Sequence, residues 1–335
     1  MSGMLPSNAL NNVRVERGVV VKSCTRTTST STATAGTGGG ALEGELFFYR
    51  EISRRVPRLQ RLFPRLLSGS PARIELEFVP SAPLTRLFAA LRMQPRHLEA
   101  AFIALDALHA VGEREVPLML RAEAARRFLA EKTAARFSAP EFAGLRGAHD
   151  VLRLLLERLD AYEPRVVRVV HGDAWFANIL LESDEGDEAA DYEHANGGEM
   201  HGAVAAEASA SASPPRALRL RFVDMRGRVG DELTLNGDAL YDYAKLLQSL
   251  LGFDEAVFGL ATVPPGYRAS LLASFFGLVR ARGAKPADVL TVALCLMAGS
   301  LPFHERRDGL WRLVCALVER LPARSSIEGR FDASS

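Results

Sequence analysis

Asp173, Asn178 and Asp224 are the residues whose types and spacing promise chemistry. Asp173 follows Gly172, a residue that permits tight backbone turns, just past the stretch 165–170, which reads as a strand. Asn178 lies five positions on, immediately before Ile179-Leu180-Leu181. Further along, Leu218, Leu220 and Phe222 alternate with Arg219 and Arg221, and Asp224 follows. Both short apolar segments read as strands, and pairing them as a hairpin brings Asn178 and Asp224 to one end of a sheet. Two carboxylates and an amide oxygen at one sheet edge are hard oxygen ligands of the kind that suit Mg²⁺, an ion that shares its shell with water and substrate phosphates. Phosphoryl transfer needs little covalent help beyond positioning and charge neutralisation, with a carboxylate near the attacking hydroxyl.

The elements that must hold these residues are legible around them. Val13–Lys22 reads as two β segments around Arg17-Gly18, residues 42–52 as a helix, and Ile74–Val79 as a strand that Pro80 ends. From there the chain turns helical: Leu98, Ala101, Phe102, Leu105 and Leu108 recur at helical spacing, with further helices over roughly 118–135 and 145–162. After the strand pair, helices are expected at about 238–251, 266–282, 287–300 and 307–321. Two stretches carry too little apolar surface to offset the entropy of ordering. Residues 23–40 hold ten Ser or Thr and four Gly, and residues 182–215 hold nine acidic residues without a Lys or Arg. Both are expected to be flexible inserts, the second forming the loop of the predicted hairpin, and the tail 325–335 is expected to be disordered. The division is thus a β-rich part, 1–80, and a mostly helical part, 81–324.

In this arrangement the residues resemble a known family. His171-Gly172-Asp173 with Asn178, and Asp224 downstream, is similar to the catalytic and metal loops of aminoglycoside phosphotransferase-like small-molecule kinases. The closer resemblance is to bacterial phosphotransferase-like proteins linked to capsule and surface-polysaccharide synthesis, through Asp224-Met225-Arg226-Gly227 and then Gly237-Asp238 with Tyr241-Asp242-Tyr243-Ala244-Lys245-Leu246. Met225 stands where those proteins have Pro. Leu108-His109 matches a Leu-His pair on a helix of the larger lobe. The resemblance implies an α+β, bilobal protein-kinase-like fold with a small β-rich N-lobe and a larger helical C-lobe. It also implies roles. Asp173 orients or deprotonates the acceptor hydroxyl, and Asn178 and Asp224 hold Mg²⁺ against the phosphates of ATP. Lys22 pairs with those phosphates, Glu45 holds Lys22, the hinge Glu77-Phe78-Val79 offers backbone groups to adenine, and Asp242 braces the catalytic loop. Surface alternatives exist for two of these: Lys22 as an edge-strand lysine, and Glu43 or Glu51 in place of Glu45. Arg226 reads equally well as a phosphate contact or as a partner of a carboxylate near the loop.

Composition narrows the classes. Among 335 residues, 41 Lys and Arg oppose 40 Asp and Glu, so the basic excess of a generic nucleic-acid binder is missing. Setting aside the acidic stretch leaves a formal charge of about +10, which suits an anionic small ligand or an ordinary surface beside an acidic insert. The longest apolar run, 290–303, is too short for a membrane span, and the N-terminus reads as no secretory signal. Cys24, Cys295 and Cys315 fit neither a metal spacing nor a disulfide framework. The expectation is a soluble cytoplasmic ATP-dependent phosphotransferase whose acceptor is a hydroxyl of a small polar metabolite, a sugar or amino alcohol, with no nucleic-acid or membrane partner. The alternative is a nucleotide-binding pseudokinase or scaffold, favoured by residues 7–12, which precede the first strand without a single Gly. A protein kinase is disfavoured because no Ala-Pro-Glu-type segment follows Asp224, and a metal-dependent hydrolase because it needs more His or carboxylate ligands.

Overall fold

The computed structural model describes residues 11–24, 38–111, 119–182 and 218–321. The chain begins with an antiparallel sheet of β1 (Asn11–Glu16), β2 (Val19–Cys24), β3 (Leu66–Ser70) and β4 (Arg73–Glu77), in the order β1-β2-β4-β3. The first hairpin turns on Arg17 and Gly18, both at positive φ (50° and 77°), the combination that matches the right-handed twist of the flanking strands. The β-branched run Val19-Val20-Val21 makes β2 an interior strand. Helix α1 (Gly38–Arg55) packs on this sheet through Leu42, Leu46, Tyr49 and Ile52, buried at helical spacing.

After β4 the chain leaves the first sheet and enters a second. That second sheet comprises β5 (Ser81–Pro83), then, past β6 (Val166–Val167), β7 (Ile179–Glu182) and β8 (Leu220–Phe222), in the order β5-β7-β8. Two small ribbons complete the β structure: β9 (Arg228–Val229) with β10 (Glu232–Leu233), and β11 (Gly237–Asp238) with β6. The rest is helical: α2 (Leu84–Ala89), α3 (Pro95–His109), α4 (Met119–Phe137), α5 (Ala148–Leu159), α6 (Ala239–Leu250), α7 (Phe253–Phe258), α8 (Pro265–Ala281), α9 (Pro286–Gly299) and α10 (Arg307–Glu319). The apolar run noted in the sequence becomes α9, buried nearly all round by α4, α5, α6, α8 and α10. Among the described residues no helix is long and apolar enough to cross a membrane.

Several expectations shift in detail. The strand expected over 165–170 shrinks to Val166–Val167, which pairs with the two-residue β11. Strands β3 and β5 and the short helices α2 and α7 were not apparent from periodicity, being too short to show one. Part of each expected insert is ordered. Ser23 and Cys24 finish β2, Gly38–Gly40 begin α1, and Glu182 closes β7 opposite Ser81, where it accepts a hydrogen bond from Arg221. The remainders, 25–37 and 183–215, lie outside the described residues, as do residues 7–10 and the tail 325–335.

Candidate functional site

The predicted hairpin forms, with Ile179 opposite Phe222 and Leu181 opposite Leu220. Its end is closed by a hydrogen bond from the Val223 amide to the Asn178 carbonyl (3.1 Å), so Asn178 and Asp224 do lie at one end of the sheet. Asp224 takes a left-handed conformation at φ 59°, unusual for a residue with a side chain and a form of backbone strain that concentrates at functional sites. Asn178 is almost fully buried. Its Nδ2 donates to the Asp173 carbonyl (2.9 Å) and to Asp173 Oδ2 (3.1 Å), which turns its amide oxygen to the other side. Among the described residues no group of three or more His, Cys, Asp or Glu could hold a metal. The hard oxygens of Asp224 and Asn178 are of the kind that suit a divalent ion drawing the rest of its shell from water and phosphate, as Mg²⁺ does.

Lys22 is the link from the first sheet. It is 3% exposed, which removes the edge-strand reading, and its Nζ donates to Glu45 Oε1 at 2.7 Å and to Asp224 Oδ1 at 2.6 Å. Burial alone would drive its pKa down, but the Asp224 and Glu45 carboxylates outweigh that and hold it above an ordinary lysine. The choice among glutamates is also settled: Glu45 meets Lys22, whereas Glu51 pairs with Arg54 and Arg55, and Glu43 faces Arg228. Glu77 ends β4 opposite Val19, and Val79 lies in the connection to β5, its carbonyl accepting from the Ser81 hydroxyl (2.8 Å). Both stand where the chain passes from the first sheet to the second, and the Glu77 carboxylate acts on the same buried Tyr49 hydroxyl as Glu45 and Asp224.

What lets α1 reach this point is a pair of glycines that spacing did not single out. A Cβ on Gly227 would lie 1.8 Å from the Gly44 carbonyl oxygen, and one on Gly44 would lie 2.3 Å from the Arg226 carbonyl oxygen. Helix α1 thus rests directly on the backbone after Asp224, one residue from Glu45. Gly227→Ala should destabilise the protein by at least about 2 kcal/mol and loosen the Lys22–Glu45 pair, because strain at φ 57° adds to the collision. Gly230→Ala is the control, since Gly230 has nearly the same φ (59°) but nothing within 4 Å of an added Cβ. Equal losses of stability in the two variants, measured by denaturant titration, would contradict the packing argument.

The loop carrying Asp173 is held from below by Asp242 on α6. Asp242 Oδ1 accepts from the Gly172 amide (2.7 Å), and Oδ2 accepts from the His171 amide (2.9 Å) and lies 3.0 Å from His109 Nε2. This bracing is the arrangement expected for Asp242. Asp238 caps α6, accepting from the Leu240 amide, and also binds the Arg165 amide and the Tyr162 hydroxyl. Trp175 and Phe176 are buried, Trp175 stacked on Phe258 and Phe176 packed edge-on against Phe88. His304 follows a 3₁₀ turn, half-buried beside Phe253, and does not sit within a helix.

One partner of the loop escaped the sequence reading. Lys245 Nζ forms an ion pair with Asp173 Oδ1 at 2.9 Å. Burial pushes the Asp173 carboxyl up, but Lys245, with Arg226 and His171, more than offsets this and holds it below the usual range. Arg226 donates its guanidinium to the Tyr241 hydroxyl (2.6 Å) and its backbone amide to the His171 carbonyl (2.9 Å), and its charge also acts on the Asp173 carboxylate, a carboxylate of the loop as one of its two readings had it. The signal was present, since Tyr241 and Lys245 are four apart on one helix face, but nothing in the spacing says what that face meets.

No family model matches the chain, and no curated protein matches it in sequence. Solved structures do. A wild-type aminoglycoside 2′-phosphotransferase-IIIa in its GDP complex superposes with a TM-score of 0.54 at 13% identity, over 96% of this chain and 93% of that one. A glucosamine kinase bound to glucosamine, ADP and inorganic phosphate gives 0.53 at 15% identity, over 98% and 83%. A Plasmodium vivax ethanolamine kinase gives 0.51 at 11%, over 98% and 84%. At these identities the likeness is one of architecture, and the chain has the bilobal protein-kinase-like fold, β-rich in its small lobe and helical in its large one, that these small-molecule kinases share.

Proposed function

We propose that this protein transfers the γ-phosphoryl group of ATP to a hydroxyl of a small polar metabolite. One observation carries the reading. Lys22 joins the buried Glu45 and the partly exposed Asp224 in a single ion-pair cluster, while Asp173 and Asn178 are hydrogen-bonded to each other at the end of the hairpin that Asp224 follows. In the transfer, the acceptor oxygen bonds to the γ-phosphorus as the bond to the β,γ-bridging oxygen breaks. The ADP oxygen keeps the electron pair, and the hydroxyl proton passes to Asp173 or to solvent. Asp173 aligns the acceptor, Lys22 neutralises phosphate charge, Glu45 fixes Lys22, and the backbone of Glu77 and Val79 receives the adenine. Asn178 and Asp224 would hold Mg²⁺, which supplies charge neutralisation on the phosphates when bound. Glucosamine kinase and ethanolamine kinase, similar in fold, point to the same class of acceptor by their names.

Mg·ATP is expected to raise the melting temperature of the protein, and Asp224→Ala should weaken that binding about 10-fold or more by removing a charged ligand. No stabilisation by Mg·ATP would overturn the proposal. A second reading, a nucleotide-binding scaffold without transfer, draws on the hairpin β1–β2, which turns on only Arg17 and Gly18 where a glycine-rich loop could cover phosphates. Binding without release of ADP across a panel of hydroxylated metabolites would favour it.

A further inference from the structure

The side of Asp173 away from Asn178 is lined by cations that the reading above does not use. Lys245 pairs with Asp173 Oδ1, whereas Asn178 holds Oδ2, so the two carboxylate oxygens face different neighbours. One turn before Lys245, the Tyr241 hydroxyl accepts from Arg226 (2.6 Å) and from Lys132 of α4 (2.9 Å). The Arg226 side chain lies directly over Gly172, the residue preceding Asp173: a Cβ on Gly172 would fall 2.7 Å from Arg226 Cβ. Arg136, one turn beyond Lys132, stacks its guanidinium on Phe303 (4.4 Å). Among the described residues Lys132, Arg136 and Arg226 make no ion pair with a carboxylate, although Arg226 lies near enough to Asp173 to help hold its carboxyl down, and a phenol is the side chain hydrogen-bonded to the first and last of them.

We infer that the acceptor is an acidic molecule, a hydroxylated carboxylate or phosphate monoester, whose anionic group is bound by Lys132 and Arg226 while its hydroxyl meets Asp173. The inference rests on the phosphotransferase reading and adds the charge of the substrate to it. The nucleotide is an unsuitable occupant for these cations, because its phosphates are served by Lys22 and by the metal ligands on the Asn178 side. The local electrostatics favour negative charge. Burial drives the Lys132 ammonium down, and Arg226 adds to this, to about 8. Burial would raise the Tyr241 phenol, yet Arg226, Lys132 and Lys245 bring it down to about 7. Burial and Arg226 also hold Arg136 below its ordinary value. The three cations favour the ionised form of the phenol against burial, and a bound carboxylate or phosphate would bring a full negative charge to the same place.

The test uses compounds matched in framework and differing in charge: ethanolamine, ethylene glycol and glycolate; glucosamine, glucose and gluconate; glycerol and glycerol 3-phosphate. Affinity for the full-length protein loaded with Mg·ADP is measured by titration, and phosphotransfer from ATP by ADP release. In at least one series the anionic member should bind about 10- to 100-fold more tightly than its neutral counterpart. The carboxylate and phosphate series separate the two kinds of anion. Arg226→Gln and Lys132→Met should each remove most of that preference through KM or Kd, and Lys132→Glu should shift it toward the amine. Mg·ATP binding, followed by thermal shift, reports that each variant is folded. Preference for the neutral or amine member, or no preference in any series, overturns the inference and leaves the phosphotransferase reading standing. Weakened Mg·ATP binding in Arg226→Gln and Lys132→Met, with charge preference intact, overturns it by assigning the cations to the nucleotide. Loss of Mg·ATP binding by the unmodified protein is the separate failure of the earlier reading.

Discussion

Asp173→Asn is expected to lower kcat by about 10²- to 10⁴-fold while leaving Mg·ATP binding nearly unchanged. The substitution keeps the shape of the side chain and an oxygen for Asn178 Nδ2, so the hairpin end and the Lys22–Asp224 contact need not move. What it removes is the negative charge that meets Lys245 and the acceptor proton. Because Lys245 and its neighbours hold the Asp173 carboxyl below the usual range, this group stays ionised at neutral pH and well into the acid side. Lys245→Met takes away the chief opposing charge, so burial then raises the Asp173 pKa. The acid limb of the kcat/KM profile should therefore move to higher pH in that variant. Steady-state rates across pH, with nucleotide affinity measured alongside, decide both points. An Asp173→Asn enzyme that turns over normally would show that the catalytic carboxylate has been misassigned.

Asp242→Ala is expected to cost about 3–5 kcal/mol of stability, the range for breaking a buried, hydrogen-bonded charge. Asp242 is fully buried and satisfies the amides of His171 and Gly172 together with the ring of His109. Alanine leaves two amide donors and an imidazole nitrogen without an acceptor in a place water does not reach. Gly172, held at φ 79°, loses the anchor of a conformation that other residues rarely adopt, and the position of Asp173 loosens with it. Urea titration should report the lost stability. At temperatures where the variant remains folded, kcat should fall more than nucleotide affinity does. His109→Ala combined with Asp242→Ala should be less than additive, since the second change removes a group the first has already stranded. Full additivity would mean that the His109–Asp242 contact carries no coupling.

Much of this architecture was readable from local pattern. The hairpin of residues 179–181 with 218–222 follows from period-two alternation, and the large-lobe helices follow from recurrent apolar positions. The three residues of β5 and the six-residue helices α2 and α7 show no alternation or helical recurrence of their own, and their contacts with distant segments define them instead. Lys22 and Glu45 could be proposed from a resemblance, yet the preference for Glu45 over Glu43 and Glu51 depended on which turn of α1 faces β2. That facing is governed by the contact of Gly44 with Gly227, two residues that no local rule connects.

The sequence alone determined the kinds of atoms available: a carboxylate in a turn, an amide and a second carboxylate at the two ends of a hairpin, a lysine in an apolar strand. Those assignments rest on short-range sterics and side-chain chemistry, which act within a few residues. Only the tertiary structure decided what each charge meets, because electrostatic partners are selected by distance in space and by the water excluded between them. Lys245 reached Asp173, and Arg226 reached a phenol shared with Lys132, because α4 and α6 bring these side chains to the loop that carries Asp173.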